Sequence, residues 1–307
     1  MMKKVFIDGS AGTTGLQIFD RLSDRNDIQL IILDESVRKD PAHRKAALNS
    51  ADITFLCLPD DAAREAISML ENPNTVVLDT STAHRTDPAW CYGFPEIFKQ
   101  GEEKIASSKR IAVPGCHACG FIALIKPLID AGVVDKYARL SCTSLTGFSG
   151  GGKKMIAEYG DPDELLKAPR QYGISQNHKH LKEMMAITGL VRAPIFHPIV
   201  ADFYSGMEVS VGLFAEDLNG NIDEIKAVYQ EKYNGEVVYF KENADENGFL
   251  SAAAKSRMDS MEISVHGNED RVLLCARYDN LGKGASGAAV ECMNLVLGAD
   301  KLEGLKI

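Results

Sequence analysis

The sequence predicts two successive domains of different build: an α/β domain on a parallel sheet, then an α+β domain on an antiparallel one. Three observations predict it. A chain of 307 residues is longer than one ordinary core fills. Its first third alternates short, continuously apolar runs with amphipathic stretches. Beyond about residue 136 the apolar residues fall on alternate positions, and few helical stretches separate them.

In the first part, Lys4–Asp8 reads as a short apolar strand. Thr13–Leu22 reads as a helix, with Leu16, Phe19 and Leu22 at helical spacing. Ile28–Leu33 and Ile53–Leu58 are apolar runs of strand length. Asp61–Leu70 is a helix candidate with Asp60 or Asp61 as N-cap. Thr75–Leu78 and Arg110–Val113 add two strands. Continuous apolar strands between helices imply a parallel sheet covered on both faces. In the second part Leu140–Leu145, Met207–Phe214, Val237–Phe240, Met261–Val265 and Val272–Tyr278 read as strands, and Gly287–Leu297 is helical again. Their alternation implies an antiparallel sheet with one covered face. No flexible linker marks the boundary near Pro114–Gly115, so two rigidly packed domains sharing a cleft are expected.

Composition excludes several classes. A net charge of −9 lacks the basic surface that nucleic acid demands, although it permits a local cationic pocket for a small anion. No apolar run approaches the roughly 20 residues needed to cross a bilayer, and no secretory leader is evident. Seven cysteines scattered over the chain do not form a disulfide framework. A cytoplasmic protein acting on a small molecule is expected, with no metal.

The chemistry concentrates in a few segments. Gly9, Ser10, Ala11, Gly12, Thr13, Thr14 and Gly15 follow the first strand and open the first helix, in GxxGxxG spacing. Such a turn brings backbone N–H groups to a phosphate at the positive end of a helix; it also serves plain strand–helix packing. At the end of the second strand Asp34 and Glu35 suit a ribose hydroxyl, and so NAD. Arg38 and Lys39 suit the 2′-phosphate of NADP. The residues leave both open.

Pro114-Gly115 makes a sharp turn that exposes Cys116 at a helix start, where dipole and free N–H groups favour a thiolate. A nucleophile belongs there. Cys119 adds a Cys-x-x-Cys spacing, which keeps a redox or metal site open, although zinc would need a second pair. Cys57, Cys142 and Cys275 read as buried in apolar strands, and Cys292 in an apolar helix. Ser149, Gly150, Gly151 and Lys153, in the segment from Thr146 to Lys154, suit a small phosphate. His180, with His178 second, is the candidate acid–base. His117 is expected to turn away from the thiol, and His197 to be core. Arg85 suits a bidentate anion contact or a plain surface role.

These motifs carry a resemblance. GSAGTTG, CLPDDAA, DTSTAHR, PGCHACG, GFSGGGKK, NHKHLKEM and NLGKGASGAA together resemble the N-acetyl-γ-glutamyl-phosphate reductase family, in its shorter type. The resemblance implies a Rossmann NADP-binding domain over 1–115 plus about 285–307. It implies a catalytic domain over 116–284 similar to those of semialdehyde and glyceraldehyde-phosphate dehydrogenases. It further implies NADPH-dependent reduction of an acyl phosphate through a thioester on Cys116, in arginine biosynthesis. His178 and His180 match the family's His-x-His, and Asn280 and Gly284 would lie by the nicotinamide. A homo-oligomer, dimer or tetramer, is expected. A sister reductase for aspartyl phosphate, a non-catalytic NADP sensor and a thiol redox protein are the alternatives.

Overall fold

The computed structural model describes residues 2–307 and divides into two compact units, 1–114 with 285–305 and 115–284 with 306–307.

The first unit is built on six parallel strands: β1 (Lys3–Asp8), β2 (Ile28–Ile31), β3 (Ile53–Leu56), β4 (Val76–Asp79), β5 (Cys91–Tyr92) and β6 (Arg110–Ala112). Their order is β2-β1-β3-β4-β6-β5, every neighbouring pair parallel. Helices cover both faces. Val5, Ile7, Phe55 and Leu78 meet Ile18 and Leu22 of α1 (Thr13–Leu22) and Ala288–Met293 of the helix Gly287–Leu297. Phe6, Leu56 and Val77 meet Ala47 and Leu48 of α2 (Pro41–Ser50), and Ala63 and Ala66 of α3 (Asp60–Ser68). A short α4 (Gly101–Ala106) precedes β6. Because both faces are buried, the strands carry no alternation.

Local chemistry explains where this differs from expectation. The helix α2 has few apolar residues to announce it; its start is set by Pro41 at N1 and by the Asp40 carboxylate, which accepts from His43 N. Asp60 does not cap α3. Its carboxylate accepts from Thr82 N and the Thr82 hydroxyl instead, and Pro59 holds the cap position. Strand β2 stops two residues early at Ile31, and Cys57 lies half-buried just past β3 rather than inside it.

The second unit opens with α5 (Cys116–Asp130), followed by β7 (Ser141–Gly147), α6 (Gly152–Glu158), α7 (Glu164–Lys167), β8 (Arg170–Gln171) and α8 (His180–Thr188). Then come β9 (Ile195–Ala201), β10 (Met207–Phe214), α9 (Ile222–Lys232), β11 (Val238–Phe240), β12 (Met261–Gly267) and β13 (Arg271–Tyr278), with α10 being the Gly287–Leu297 helix of the first unit. The seven strands run β11-β12-β13-β10-β7-β9-β8. The sheet is mixed rather than antiparallel: β7 pairs parallel with β9, and β11 with β12. The long connection carrying α6 to α8 permits the β7–β9 crossover, and side-chain alternation is blind to strand direction. Met207, Val209, Val211 and Leu213 are buried on one face, and α5 packs against β10 and β13. Tyr229 and Tyr233 of α9 donate to Leu124 O and Ala123 O of α5. No helix among the described residues is long and apolar enough to cross a membrane.

Candidate active site

In the first unit the chain leaves β1 through a turn that only glycine can make. Gly9 has φ of +87°, and a Cβ there would lie 2.3 Å from Cys57 O. A Cβ on Gly15 would lie 2.4 Å from Gly9 O, so α1 can start this close to the turn only without one. The bare backbone of Gly9, Ser10, Ala11 and Gly12 lines a cavity of about 400 Å³ with Leu30–Leu33, Arg38, Lys39, Arg44, Cys57 and Leu58. A cradle that a Cβ would fill, at the start of a helix, fits the phosphates of a dinucleotide. Thr13, Thr14 and Gly15 form the first turn of α1.

The cations around this cavity differ. Arg44 is committed: it pairs with Asp8 at 2.9 Å and with Glu65 at 3.0 Å, both Asp8 and Arg44 being buried. Burial pushes the Asp8 carboxyl above its usual range against the pull of Arg44. Among the described residues Arg38 pairs with Glu35 alone, in an exposed 2.8 Å contact, a pairing of little worth that another anion can replace. Lys39 is exposed. Asp34 and Glu35 are not part of the lining.

Arg85 is buried. Its Nε donates to Val113 O and its NH2 group to Thr80 O, each at 2.8 Å, so it braces the ends of β4 and β6 within the first unit. Beside it Asp79 accepts from Ser81 and from His84 Nδ1, and His84 stacks on Trp90.

In the second unit Cys116 is the first residue of α5, half-buried, after an extended Gly115 with ψ of 143°. Three contacts fix it. Gly115 N donates at 2.8 Å to Glu183 Oε1, a buried carboxylate on α8. The Tyr278 hydroxyl donates to Cys116 O at 2.5 Å and accepts from Gly120 N at 3.0 Å. That carbonyl and that amide face each other along the first turn of the helix, so the hydroxyl ties both to β13. Gly284 closes over the residue: a Cβ there would lie 3.1 Å from Cys116 Cβ. Glu183, Tyr278 and Gly120 had no place among the expected site residues; NHKHLKEM contains Glu183, three residues after His180, and that spacing was its only signal.

Three histidine rings gather in the same unit. His178, His180 and His117 approach one another, with centroids 4.7 Å apart for His178–His180 and 5.6 and 5.7 Å from His117 to each. His117 points inward, between Ser144 and Tyr172. His178 Nδ1 accepts from His180 N at 3.2 Å, capping α8, and burial followed by the nearby Lys179 charge lowers its pKa. His180 is buried at the start of α8. His197 is only half-buried, on the open face of the sheet rather than in the core.

The glycine-rich segment after β7 is less open than its composition suggests. Its amides at Gly147, Phe148 and Ser149 donate to Gly206 O, Phe203 O and Tyr204 O. What it can offer an anion is its exposed part, Gly150, Gly151, Lys153 and Lys154, with the buried Ser149 hydroxyl behind. Asn280 ties that hydroxyl in place: its Nδ2 donates to Ser149 Oγ, and its Oδ1 accepts from Gly206 N, both at 3.0 Å. From Asn280 the chain runs to Gly284 against Cys116. All seven cysteines are free thiols. Among the described residues no group of three or more His, Cys, Asp or Glu is placed to hold a metal ion.

Comparison with known proteins bears on both units. Residues 4–106 match the semialdehyde dehydrogenase NAD binding domain, and residues 116–280 the semialdehyde dehydrogenase dimerisation domain. The chain is 45% identical over 310 residues to N-acetyl-gamma-glutamyl-phosphate reductase of Brucella ovis, covering 97% of this chain and all of that one. It is 42% identical over 318 residues to N-acetyl-gamma-glutamyl-phosphate reductase 2 of Nostoc sp., covering 98% and 99%. Among solved structures, aspartate semialdehyde dehydrogenase II of Vibrio cholerae complexed with ASA superposes with a TM-score of 0.73 at 16% identity, covering 97% and 99%. Aspartate semialdehyde dehydrogenase with NADP from Candida albicans gives 0.66 at 14%, with the same coverage. At these identities the structural likeness is one of fold.

Proposed function

The chain belongs to the N-acetyl-γ-glutamyl-phosphate reductase family, and from that premise we propose that it reduces N-acetyl-L-glutamyl 5-phosphate to N-acetyl-L-glutamate 5-semialdehyde and phosphate, in arginine biosynthesis. The observation that carries the reading is Cys116 at the start of α5, its approach held by Glu183 of the helix that begins at His180.

The Cys116 thiolate attacks the acyl carbon. The carbon–oxygen bond to the phosphoryl group breaks, inorganic phosphate leaves, and a thioester remains on the sulfur. When bound, the reduced nicotinamide supplies the hydride that this thioester accepts. The carbon–sulfur bond then breaks, releasing the aldehyde and restoring the thiolate. His180 takes the thiol proton at the outset, gives it to the alkoxide as the hydride arrives, and takes it back from that hydroxyl as the carbon–sulfur bond breaks; His178, with its Nδ1 engaged by a backbone N–H, is the second candidate. Ser149, Gly150, Gly151 and Lys153 receive the anionic groups of the substrate, and Arg85 is assigned to the substrate as a further anion contact.

We assign NADP over NAD because Arg38 and Lys39 line the cavity and Asp34 and Glu35 do not. Asn280 and Gly284 are assigned to the nicotinamide side. The match to a dimerisation domain supports a homo-oligomer. The face of the second sheet away from α5 leaves Ile195, Phe214 and Leu273 exposed on one side of β9, β10 and β13, where a second copy of the chain would lie. The free thiols suit the reducing cytoplasm.

The test is the reaction run backwards. Purified protein is given NADP⁺, phosphate and a panel of semialdehydes that includes aspartate semialdehyde. Reduced cofactor should form fastest with N-acetylglutamate semialdehyde. Preference for the aspartate compound, or no turnover with any, would overturn the reading.

A further inference from the structure

His117 follows the nucleophile in α5 and is 3% exposed, yet both nitrogens of its ring are engaged. Nδ1 shares a 2.7 Å hydrogen bond with Ser144 Oγ, and Nε2 shares one of 2.5 Å with the Tyr172 hydroxyl. Phe196 packs edge-on against the ring at 5.4 Å. Burial, and then repulsion from His178, hold its pKa down at about 3. The ring is therefore neutral at working pH, and a neutral imidazole donates at one nitrogen and accepts at the other.

Which nitrogen does which is decided by the serine. Ser144 is fully buried, and among the described residues its hydroxyl has one hydrogen-bond partner, His117 Nδ1. A hydroxyl that only accepted there would strand its own hydrogen, which buried polar groups rarely do. Ser144 therefore donates to Nδ1. Nε2 then carries the ring hydrogen and donates to the Tyr172 oxygen, and the phenol's own hydrogen is directed elsewhere. Burial, and then the charge of a thiolate on Cys116, push the Tyr172 phenol above its usual range. The phenol stays protonated and lies within electrostatic reach of the sulfur.

Resting on Cys116 as the nucleophile, we propose that His117 is a positioning residue: the relay from Ser144 through His117 holds the Tyr172 oxygen from one side and presents its O–H to the acyl oxygen carried on Cys116. As the acyl carbon becomes tetrahedral, charge gathers on that oxygen, and a donor already oriented stabilises it without reorganisation.

Two measurements test this. Nitrogen-15 NMR of histidine-labelled protein should show His117 in the Nε2–H form, with Nδ1 bare, across the neutral range; an Nδ1–H form overturns the relay. Steady-state kinetics supply a double-mutant cycle. Tyr172→Phe should lower kcat about a hundredfold and His117→Phe about ten- to hundredfold, each leaving the KM for NADPH within about twofold. In the Tyr172→Phe background His117→Phe should change kcat by less than about twofold, because its effect passes through the lost hydroxyl. His117→Gln, which can both donate and accept, should recover kcat to within about threefold of the parent. Effects that multiply instead overturn the proposal. Should His117→Phe fail to fold, Ser144→Ala with Tyr172→Phe runs the same cycle from the other end of the relay. Cys116→Ser is measured alongside: turnover surviving there unseats the nucleophile itself, whereas loss there with a multiplicative cycle overturns only the relay.

Discussion

A thiol's reactivity follows its surroundings, and the seven cysteines sit in sharply different ones. Burial pushes Cys57 and Cys275 up to about 12 and Cys142 higher still. Cys119 and Cys292 are fully buried. Cys116 alone is both half-exposed and at a helix N-terminus, where free N–H groups favour the thiolate. Brief labelling with iodoacetamide and peptide mapping should therefore find Cys116 modified first. Preferential labelling of Cys91, a half-buried thiol on a strand of the first unit, would go against the assignment. Cys116→Ser should abolish turnover while NADPH binding stays near normal, since the cofactor cavity lies wholly within the first unit. At the cavity itself, replacing Arg38 and Lys39 together with alanine should raise the KM for NADPH about tenfold or more, the equivalent of roughly 1.5–3 kcal/mol for a charge-assisted contact. The KM for NADH should barely move. Equal effects on both cofactors would mean that these residues do not read the 2′-phosphate.

The first turn of α5 carries the proposed nucleophile, and Tyr278 of β13 bonds both its first carbonyl and the Gly120 amide. Gly120 makes that possible: a Cβ there would lie 2.6 Å from the Tyr278 hydroxyl and 2.7 Å from Val209. Gly120→Ala should cost about 1–3 kcal/mol of stability by overpacking, lowering Tm by about 2–8 °C, and should reduce kcat more than it raises the KM for NADPH. A variant with unchanged Tm and kcat would show that this contact has room to spare. This turn also marks how far the sequence can be read. Pro114-Gly115 announces that Cys116 opens a helix, because the signal is local. The continuous runs of β1, β3 and β4 announce a sheet covered on both faces for the same reason. The inward turn of His117 is not legible, since its partners Ser144 and Tyr172 lie 27 and 55 residues away. Nor is the Tyr278 contact with Cys116, 162 residues distant. The parallel β7–β9 pairing escapes for a different reason: alternation records which face a side chain takes and nothing about strand direction. Gly147–Ser149 read as open donors because composition cannot tell that three amides already have carbonyl partners across the sheet end.

At the scale of the whole molecule, buried neutral histidine ties stability to acidity. His117 has its pKa depressed from 6.5 to about 3, so below about 6.5 the unfolded chain binds a proton that the folded chain refuses. Stability is full above that pH and declines as pH falls toward about 3; the lowered pKa of His178 acts in the same direction. Between about pH 7 and about pH 4.5 the parent should lose roughly 2–3 kcal/mol more than His117→Gln does, measured by denaturant titration at each pH. Equal losses would show that His117 does not govern the acid limb. The discontinuous first unit has a consequence of another kind, in the order in which the chain acquires structure as it is made. Ala288, Ala289, Val290 and Met293 belong to the same apolar cluster as Val5, Phe55 and Leu78, yet the second unit intervenes between them. A ribosome adding about 5–20 residues per second delivers roughly 170 intervening residues in about ten to thirty seconds. For that interval α1 covers its share of one face of the parallel sheet and the share of α10 waits uncovered, while the second unit, contiguous but for its last two residues, has everything else it needs to fold. The sheet translated first is thus covered last, and its bare part is the surface a nascent-chain chaperone would meet.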